Sequence, residues 1–153
     1  DDATRKRFID VIRQTKPDVV ITHHPDDYHD NHRSTSRLVR EAIFQASVPH
    51  IKTDFGPIDK FPSLFYMDNY SGLNFNPTHF INITESIEVK KKMLLAHQSQ
   101  VQWMMEHSKL DVVDQMMTTA KYRGYQAGVP YAEAFAQEPS FPLVKTGTLL
   151  PCD

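Results

Sequence analysis

The 153-residue chain is poor in several residue types, and each shortage excludes a class of protein. Its one cysteine, Cys152, excludes an internal disulfide and a zinc site closed by cysteines, and fits a reducing compartment. A formal net charge of -2 gives no basic excess for binding nucleic acid. No apolar run approaches the ~20 residues of a membrane span. We therefore expect a soluble cytoplasmic protein of one domain, or a large part of one.

The densest group of chemically active side chains lies at positions 23–33. Four of the eight histidines fall within these eleven positions, together with three aspartates. They are His23, His24, His29 and His32, and Asp26, Asp27 and Asp30. Imidazole and carboxylate groups are the usual ligands of zinc and the usual general acids and bases. The cluster therefore predicts a catalytic site for zinc or another divalent metal.

A predicted strand and a predicted helix flank this cluster. Residues 18–22 are a β-branched run after Pro17, which predicts a buried strand. Residues 32–46 repeat apolar side chains at helical spacing. Asp30 or Asn31 is predicted to cap that helix. The cluster therefore lies at the carboxyl end of a strand, where open α/β sheets bind their ligands.

Further along the chain, strands and helices continue to alternate. Residues 2–14 predict a helix whose arginines, Arg13 included, we expect in solvent. Residues 63–67 and 80–84 predict strands. Thr84 is predicted to be the N-cap of one long helix that follows the second strand and contains His97. A last helix is predicted to end near Gly124, followed by a loop over residues 124–135. The alternation predicts a Rossmann-like, doubly wound, mainly parallel α/β sheet.

Two further places offer substrate contacts. Asn69 and Tyr70 lie in a loop after the strand at 63–67, where an amide suits sugar hydroxyls and an aromatic ring suits a sugar face. The same residues also suit a turn-rich surface loop, and the sequence leaves the two interpretations equal. Arg33 is predicted either to orient substrate or to pair with a loop carboxylate, the plain ion pair being favoured.

The residues of the cluster resemble a known family. Residues 20–23 followed by 25–33 are similar to the second metal motif of the PIG-L/LmbE-like zinc deacetylases. Residues 80–84, 97–100 and 124–135 resemble later segments of that family. The resemblance covers most of the chain. It implies that the 153 residues form the second part of a Rossmann-like domain.

The resemblance also implies a role for each residue of the motif. His32 matches a zinc ligand, and His29 matches the histidine that polarises the substrate carbonyl and stabilises the oxyanion. Asn31 stands where the family usually has an aspartate that orients and charges that histidine. An amide supplies no charge, so Asp30 or Asp27 is expected to compensate. The expected catalytic set is therefore His29, Asn31 and Asp30.

The family's first motif, which supplies two zinc ligands and the general base, is expected on a preceding segment. Residues 1–153 would then be the C-terminal portion of a single deacetylase domain, lacking its N-terminal part. The stretch at 24–27 has similar letters to that first motif, but the second motif follows it at once and leaves no room for intervening elements. The proline-containing tail is expected to cover a neighbouring surface or a second subunit.

The function implied by the resemblance is removal of an acetyl group from an N-acetylglucosamine-type conjugate. Two alternatives remain open at this point. One is a non-catalytic sugar- or nucleotide-binding protein on the same fold, which Asn31 favours. The other is a different metal hydrolase built on His24, Asp26 and Asp27.

Overall fold

The structure, a computed structural model, describes residues 2–69 and 72–139. Tyr70, predicted to contact substrate, and the tail from residue 140 onward lie outside the described residues. The elements in chain order are α1 (Asp2–Thr15), β1 (Val19–Thr22), α2 (Asp30–Ala46), β2 (Ser63–Met67), β3 (His79–Asn82), a 3₁₀ turn (Thr84–Ser86), α3 (Ile87–Leu95), α4 (Gln98–Ser108), α5 (Val112–Ala127) and β4 (Ala132–Gln137).

Four strands form one sheet in the order β1-β2-β4-β3. β1 and β2 run parallel, with Val19 opposite Ser63 and Thr22 opposite Tyr66. β4 lies between β2 and β3 and runs antiparallel to both. The predicted Rossmann-like α/β class is confirmed, although among the described strands one pair is parallel and two are antiparallel, so this part of the sheet is not mainly parallel. The parallel pair places the carboxyl ends of β1 and β2 side by side, and the candidate site lies at that edge.

β4 corrects the prediction of a loop over residues 124–135. Its sequence, Ala-Glu-Ala-Phe-Ala-Gln, alternates small and large side chains, and its buried positions alternate with half-buried ones. Gly128 caps the end of α5, and Pro130 lies in the short connection between α5 and β4. Gly128 has φ +70° and donates its backbone N–H to the carbonyl of Tyr125. The strand itself begins only at Ala132.

The main core lies between the sheet and the pair α1 and α2. Its buried members are Ile9, Ile12, Val39, Ala42, Ile43, Ala46, Ile58, Leu64, Tyr66, Phe75, Ala134 and Ala136. These residues come from both helices, from β2 and β4, and from two connecting loops. The core therefore fixes α2, and with it the loop that joins β1 to α2.

Arg13 is buried, which corrects the prediction that it lies in solvent. Only 2% of it is exposed. Its guanidinium donates to the carbonyls of Ala46, Val48, Ile51 and Phe55 and to the hydroxyl of Thr53. Ala46 is the last residue of α2, where free carbonyls carry the negative end of the helix dipole. Arg13 therefore joins α1 to the end of α2 and to the loop after it.

The opposite face of the sheet is covered by α3 and α5. Lys90 of α3 pairs with Glu133 of β4, and Arg123 of α5 pairs with Asp68 just after β2. The single long helix predicted after Thr84 is wrong: α3 ends at Leu95, and α4 begins after His97. In the described part of the chain, no helix is both long and apolar enough to cross a membrane.

Candidate metal centre

Three side chains in the loop after β1 could together hold a metal ion. His23 directly follows β1, Asp27 lies in the middle of the loop, and His32 lies in the first turn of α2. One ligand atom from each lies within 4.8 Å of the others. The rings of His23 and His32 are stacked, with centroids 3.8 Å apart. Nδ1 of His32 lies 3.1 Å from Oδ1 of Asp27.

The Asp27 carboxylate is held rigidly by its own loop. The residue is only 3% exposed, and its Oδ1 accepts the backbone N–H of His29 at 2.9 Å. Its backbone N–H donates to the carbonyl of His24, and its carbonyl accepts from Arg33 at 2.8 Å. A buried carboxylate without a cation is costly, so this position favours a positive partner.

The unused hydrogen-bonding groups fit a metal ion. Nδ1 of His32 is buried and has no hydrogen-bond partner among the described residues, although it lies beside Asp27. Burial and the neighbouring His32 lower the pKa of His23, which keeps its ring in the neutral form that binds metals. Two imidazoles and one carboxylate match the donor set of zinc, whose tetrahedral ligands lie roughly 3.3 Å apart.

His29 caps α2, which corrects the prediction of Asp30 or Asn31 in that role. Its Nδ1 accepts the backbone N–H of Asn31 at 3.3 Å. A ring nitrogen that accepts carries its lone pair, so while this bond holds, the ring N–H available for donation is the one on Nε2. The ring lies partly stacked on that of His32, with centroids 4.7 Å apart. His29 thus stands beside the candidate ligands and is not one of the three.

The remaining predicted residues of the motif lie at the exposed rim of the loop. Asp30 and Asn31 are exposed, and Asp30 pairs with Arg33. The ion pair expected for Arg33 is therefore present. The guanidinium also holds the carbonyl of Asp27, so Arg33 stabilises the loop from outside.

Asn69 lies two residues after the end of β2 and does not line the candidate metal centre. It is buried, and its side-chain amide donates to the carbonyl of Leu73. It lines a cavity of about 570 Å³ between the sheet and helices α3 and α5. The floor of that cavity includes Ile21, Met67 and Phe135. The three candidate ligands are not among its lining residues.

The alternative set of His24, Asp26 and Asp27 is not brought together as a ligand group among the described residues. His24 turns instead toward the rings of Tyr66 and Phe75. Asp26 is exposed. Only Asp27 of that set belongs to the candidate centre.

The sequence did not single out His23 as a candidate ligand, and Asp27 had a supporting role or, in the alternative hydrolase, a place beside His24 and Asp26. The available signal for His23 was its place directly after the predicted strand, at the edge where ligands bind. For Asp27 the signal was its position five residues before His32. Neither signal fixes which way a loop side chain points.

Comparisons with known proteins agree with this loop and this fold. The sequence model of the family described as PIG-L: GlcNAc-PI de-N-acetylase matches residues 1–43. A conserved protein of Thermus thermophilus shares the fold with a TM-score of 0.75 and 24% identity, over 93% of this chain and 62% of its own. His23, Asp27 and His32 all lie within the matched residues.

Two other solved structures have the same fold. The N,N'-diacetylchitobiose deacetylase of Pyrococcus horikoshii aligns with a TM-score of 0.74 and 23% identity, over 91% of this chain and 52% of its own. The 4-carboxy-2-hydroxymuconate hydratase of Pseudomonas putida aligns with a TM-score of 0.68 and 21% identity, over 97% and 62%. This chain thus spans 52–62% of the length of these three proteins.

Proposed function

We propose, from the premise that this chain belongs to the PIG-L/LmbE-like family, that the protein is a zinc-dependent N-deacetylase. Its substrate would be a sugar conjugate of the N-acetylglucosamine type, cleaved at the amide to release acetate. The observation that carries the proposal is the group His23, Asp27 and His32, which lies within the matched segment. The deacetylase among the similar structures supports the same reaction class.

Within this chain, His32 would hold the metal, as the family motif implies, and His23 and Asp27 lie beside it as further candidate ligands. The family's first motif is proposed to supply other ligands. A bound zinc ion supplies Lewis acidity, which polarises an amide carbonyl and activates a water molecule. The lowered pKa of His23 favours the neutral ring that such binding needs.

His29 is the proposed electrophilic residue. Its Nδ1 is occupied by the helix cap, so the hydrogen on Nε2 is the one available for donation. Donated to the carbonyl oxygen of the substrate, it would stabilise the oxyanion of the tetrahedral intermediate. This role needs an N–H donor at Nε2, which an amide at Asn31 does not remove. The base that takes the proton of water is proposed on the first motif of the family.

The rim residues would orient the substrate. Asp30 and Arg33 form an exposed pair beside His29, where hydroxyl groups of a sugar can replace water. Asn69 is buried and its side-chain amide donates to the carbonyl of Leu73, so its part would be to shape the loop after β2 and not to contact the sugar. Tyr70 remains a proposed sugar contact.

A second candidate function is favoured by Asn31. Without the charge of an aspartate beside His29, the same site could bind a sugar or nucleotide and not turn it over. The hydratase among the similar structures illustrates that this fold is not restricted to deacetylation. The two candidates differ in turnover and not in metal content.

The test measures zinc content and acetate release together. The full-length protein, its His32→Ala variant and its His97→Ala variant are purified without chelators and assayed on N-acetylglucosamine conjugates. We expect about one zinc per chain and acetate release in the wild type and in His97→Ala, and loss of both in His32→Ala. His97 is an exposed control between α3 and α4. Zinc without acetate release would favour the binding protein, and no zinc in any sample would overturn the proposal.

A further inference from the structure

Asp27 carries the buried carboxylate of the loop between β1 and α2, and the loop itself fixes its position. Only 3% of the residue is exposed. Its Oδ1 accepts the backbone N–H of His29 at 2.9 Å, as in an Asx turn, where a side chain binds the backbone two residues on. Its own N–H donates to the carbonyl of His24, and its carbonyl accepts from Arg33. The protein alone therefore buries and orients this carboxylate.

The side chain of His32 presents a buried nitrogen to this carboxylate. Nδ1 of His32 lies 3.1 Å from Oδ1 of Asp27, within the range of an N–H···O hydrogen bond. Nδ1 has no hydrogen-bond partner within the described part of the chain. The ring is stacked on those of His23 and His29, with centroids 3.8 and 4.7 Å apart. Polar contacts of His32 must therefore come from the ring edge, and Asp27 is the acceptor within reach of Nδ1.

A carboxylate at Nδ1 determines which nitrogen of His32 is left for a metal. A neutral imidazole carries one hydrogen, on Nδ1 or on Nε2, and the other nitrogen keeps the lone pair that binds metals. An ionised carboxylate only accepts hydrogen bonds, so its contact with Nδ1 favours the hydrogen on Nδ1 and the lone pair on Nε2. Histidine ligands commonly donate their second N–H to a carboxylate in this way, which orients the ring and makes the ligand nitrogen more basic.

The same short distance would also suit a metal ion shared by Oδ1 and Nδ1, with both residues as ligands. The hydrogen-bonded arrangement uses Oδ1 as an acceptor twice, once for the N–H of His29 and once for the Nδ1–H of His32, which the lone pairs of a carboxylate oxygen allow. It also agrees with the ligand set that the family resemblance implies, in which His32 binds zinc and a preceding motif supplies two further ligands.

We propose that Asp27 is a positioning residue that acts on the metal centre through His32. Its carboxylate accepts the Nδ1–H of His32, holds the ring and leaves Nε2 as the metal-binding nitrogen. Through the backbone N–H of His29, the same oxygen also holds the start of α2. One buried carboxylate thus sets the positions of both histidines of the motif. The inference rests on the proposed metal role of His32 and is independent of the reaction carried out there.

The first test observes the ring of His32 in the metal-free, full-length protein. Nitrogen-15 NMR of labelled histidine, at a pH where the ring is neutral, distinguishes the nitrogen that carries hydrogen from the one that does not, and His32→Gln assigns the signal. We expect the hydrogen on Nδ1 in the parent and in Asp27→Asn, whose side-chain oxygen still accepts, and a shift toward the Nε2–H form in Asp27→Ala. A parent with the hydrogen on Nε2 would overturn the inference.

The second test measures the zinc affinity of the same proteins. Removing a group that orients a metal ligand weakens binding by about 10–100-fold, and we expect Asp27→Ala to fall in this range. Asp27→Asn should lose less, because it keeps the acceptor and lacks only the charge. Asp26→Ala is the matched control, because it removes an exposed carboxylate from the neighbouring position and should bind zinc like the parent. Parental affinity in Asp27→Ala would contradict the proposed role.

Cobalt(II) absorption separates positioning from ligation. At saturating metal, Asp27→Ala should keep the band positions and intensity of the parent, because its ligand set is unchanged. A changed coordination number in Asp27→Ala would make Asp27 a ligand and overturn the inference. Melting temperatures of the metal-free variants show whether Asp27→Ala is folded. If it is not, Asp27→Asn gives the answer, because it keeps both hydrogen bonds and would alter the cobalt spectrum only if Asp27 were a ligand.

Failure of the inference and failure of the proposed function give different results. Parental zinc affinity in Asp27→Ala, with acetate release intact in the parent, removes only the role of Asp27. A zinc-bound parent that releases no acetate removes the deacetylase proposal and leaves the affinity and NMR results for Asp27 in force. A parent that binds no zinc overturns both.

Discussion

The imidazole rings of His23 and His32 lie parallel, with centroids 3.8 Å apart and 2° between their planes. His23 directly follows β1 and His32 lies in the first turn of α2, so the loop between these two elements brings the two rings into contact. Nδ1 of His32 also lies beside the Asp27 carboxylate. The two stacked rings and the Asp27 carboxylate together form the candidate metal centre.

Replacing either stacked ring should abolish metal binding. In His23→Ala and in His32→Ala, two of the three candidate ligands remain, which is too few for tight binding of zinc by this loop. We expect the zinc content of either variant to fall to a small fraction of that of the parent, measured by metal analysis after gel filtration. His50→Ala, an exposed histidine outside the group, is the control. Full zinc occupancy in His32→Ala would contradict the assignment of that ligand.

His29→Ala should retain the metal and lose turnover. His29 is not one of the three grouped residues, but its Nε2 hydrogen is the proposed oxyanion donor. Loss of one such donor reduces kcat by about 10²–10³. His29→Asn separates this effect from capping, because asparagine is a good helix cap and lacks the imidazole. Both variants should show the same low kcat, and a His29→Asn variant with parental kcat would refute the catalytic role.

Arg13→Met should destabilise the fold strongly. The substitution removes the guanidinium that donates to four carbonyls and one hydroxyl, and although the carbonyls of Ala46, Val48 and Phe55 keep a second donor, the link between α1 and the loop after α2 is lost. We expect the free energy of unfolding to fall by roughly 3–5 kcal/mol, as for the loss of other buried charged networks. Denaturant titration measures this change.

Arg7→Met is the matched control for that experiment, because Arg7 is exposed on the same helix. Its effect should stay within about 0.5 kcal/mol. A loss below about 1 kcal/mol for Arg13→Met would mean that the loop after α2 finds other donors, and the joining role assigned to Arg13 would be wrong.

Alkaline pH should destabilise the protein through Tyr66. Its pKa is raised in the folded state by burial and by Glu138, so the unfolded chain loses this proton first as pH rises. The stability is therefore fully present below about pH 10 and decreases above it, by at most about 1.4 kcal/mol per pH unit from this group. Unfolding free energies of the parent and of Tyr66→Phe, measured between pH 8 and pH 11, should converge as pH increases. Parallel curves would show that Tyr66 does not cause the loss.

The local elements followed from the sequence because their signals are local. A β-branched run after Pro17 marked β1, and an apolar, aromatic run marked β2, which has the predicted bounds, Ser63–Met67. The prediction that β1 is buried is wrong for the described residues, because Val19 and Ile21 are exposed. Helical spacing marked α2, which begins at Asp30, two residues before the predicted start. These patterns are periodicities of side chains within one segment, so they can be recognised without knowing which other segments pack against it. The α/β class and the strand-to-helix loop were predictable for the same reason.

The partners of buried polar groups did not follow from the sequence. Arg13 looks like its exposed neighbours in α1, and only the approach of the end of α2 gives it carbonyls to bind. Residues 132–135 were predicted to be part of a loop, yet they belong to β4. The backbone of β4 pairs with β2 on one side and with β3 on the other. Each outcome depends on contacts between segments far apart in sequence.

For the candidate site, the sequence by itself determined which side chains are available and where the loop lies: a histidine- and aspartate-rich segment after a strand. Tertiary structure decided which of them meet. The core holds His24 against Tyr66 and Phe75, which leaves His23, Asp27 and His32 to converge. The composition of the loop determines which donor atoms are available. Whether these atoms come close enough to share an ion depends on how α2 packs against the sheet.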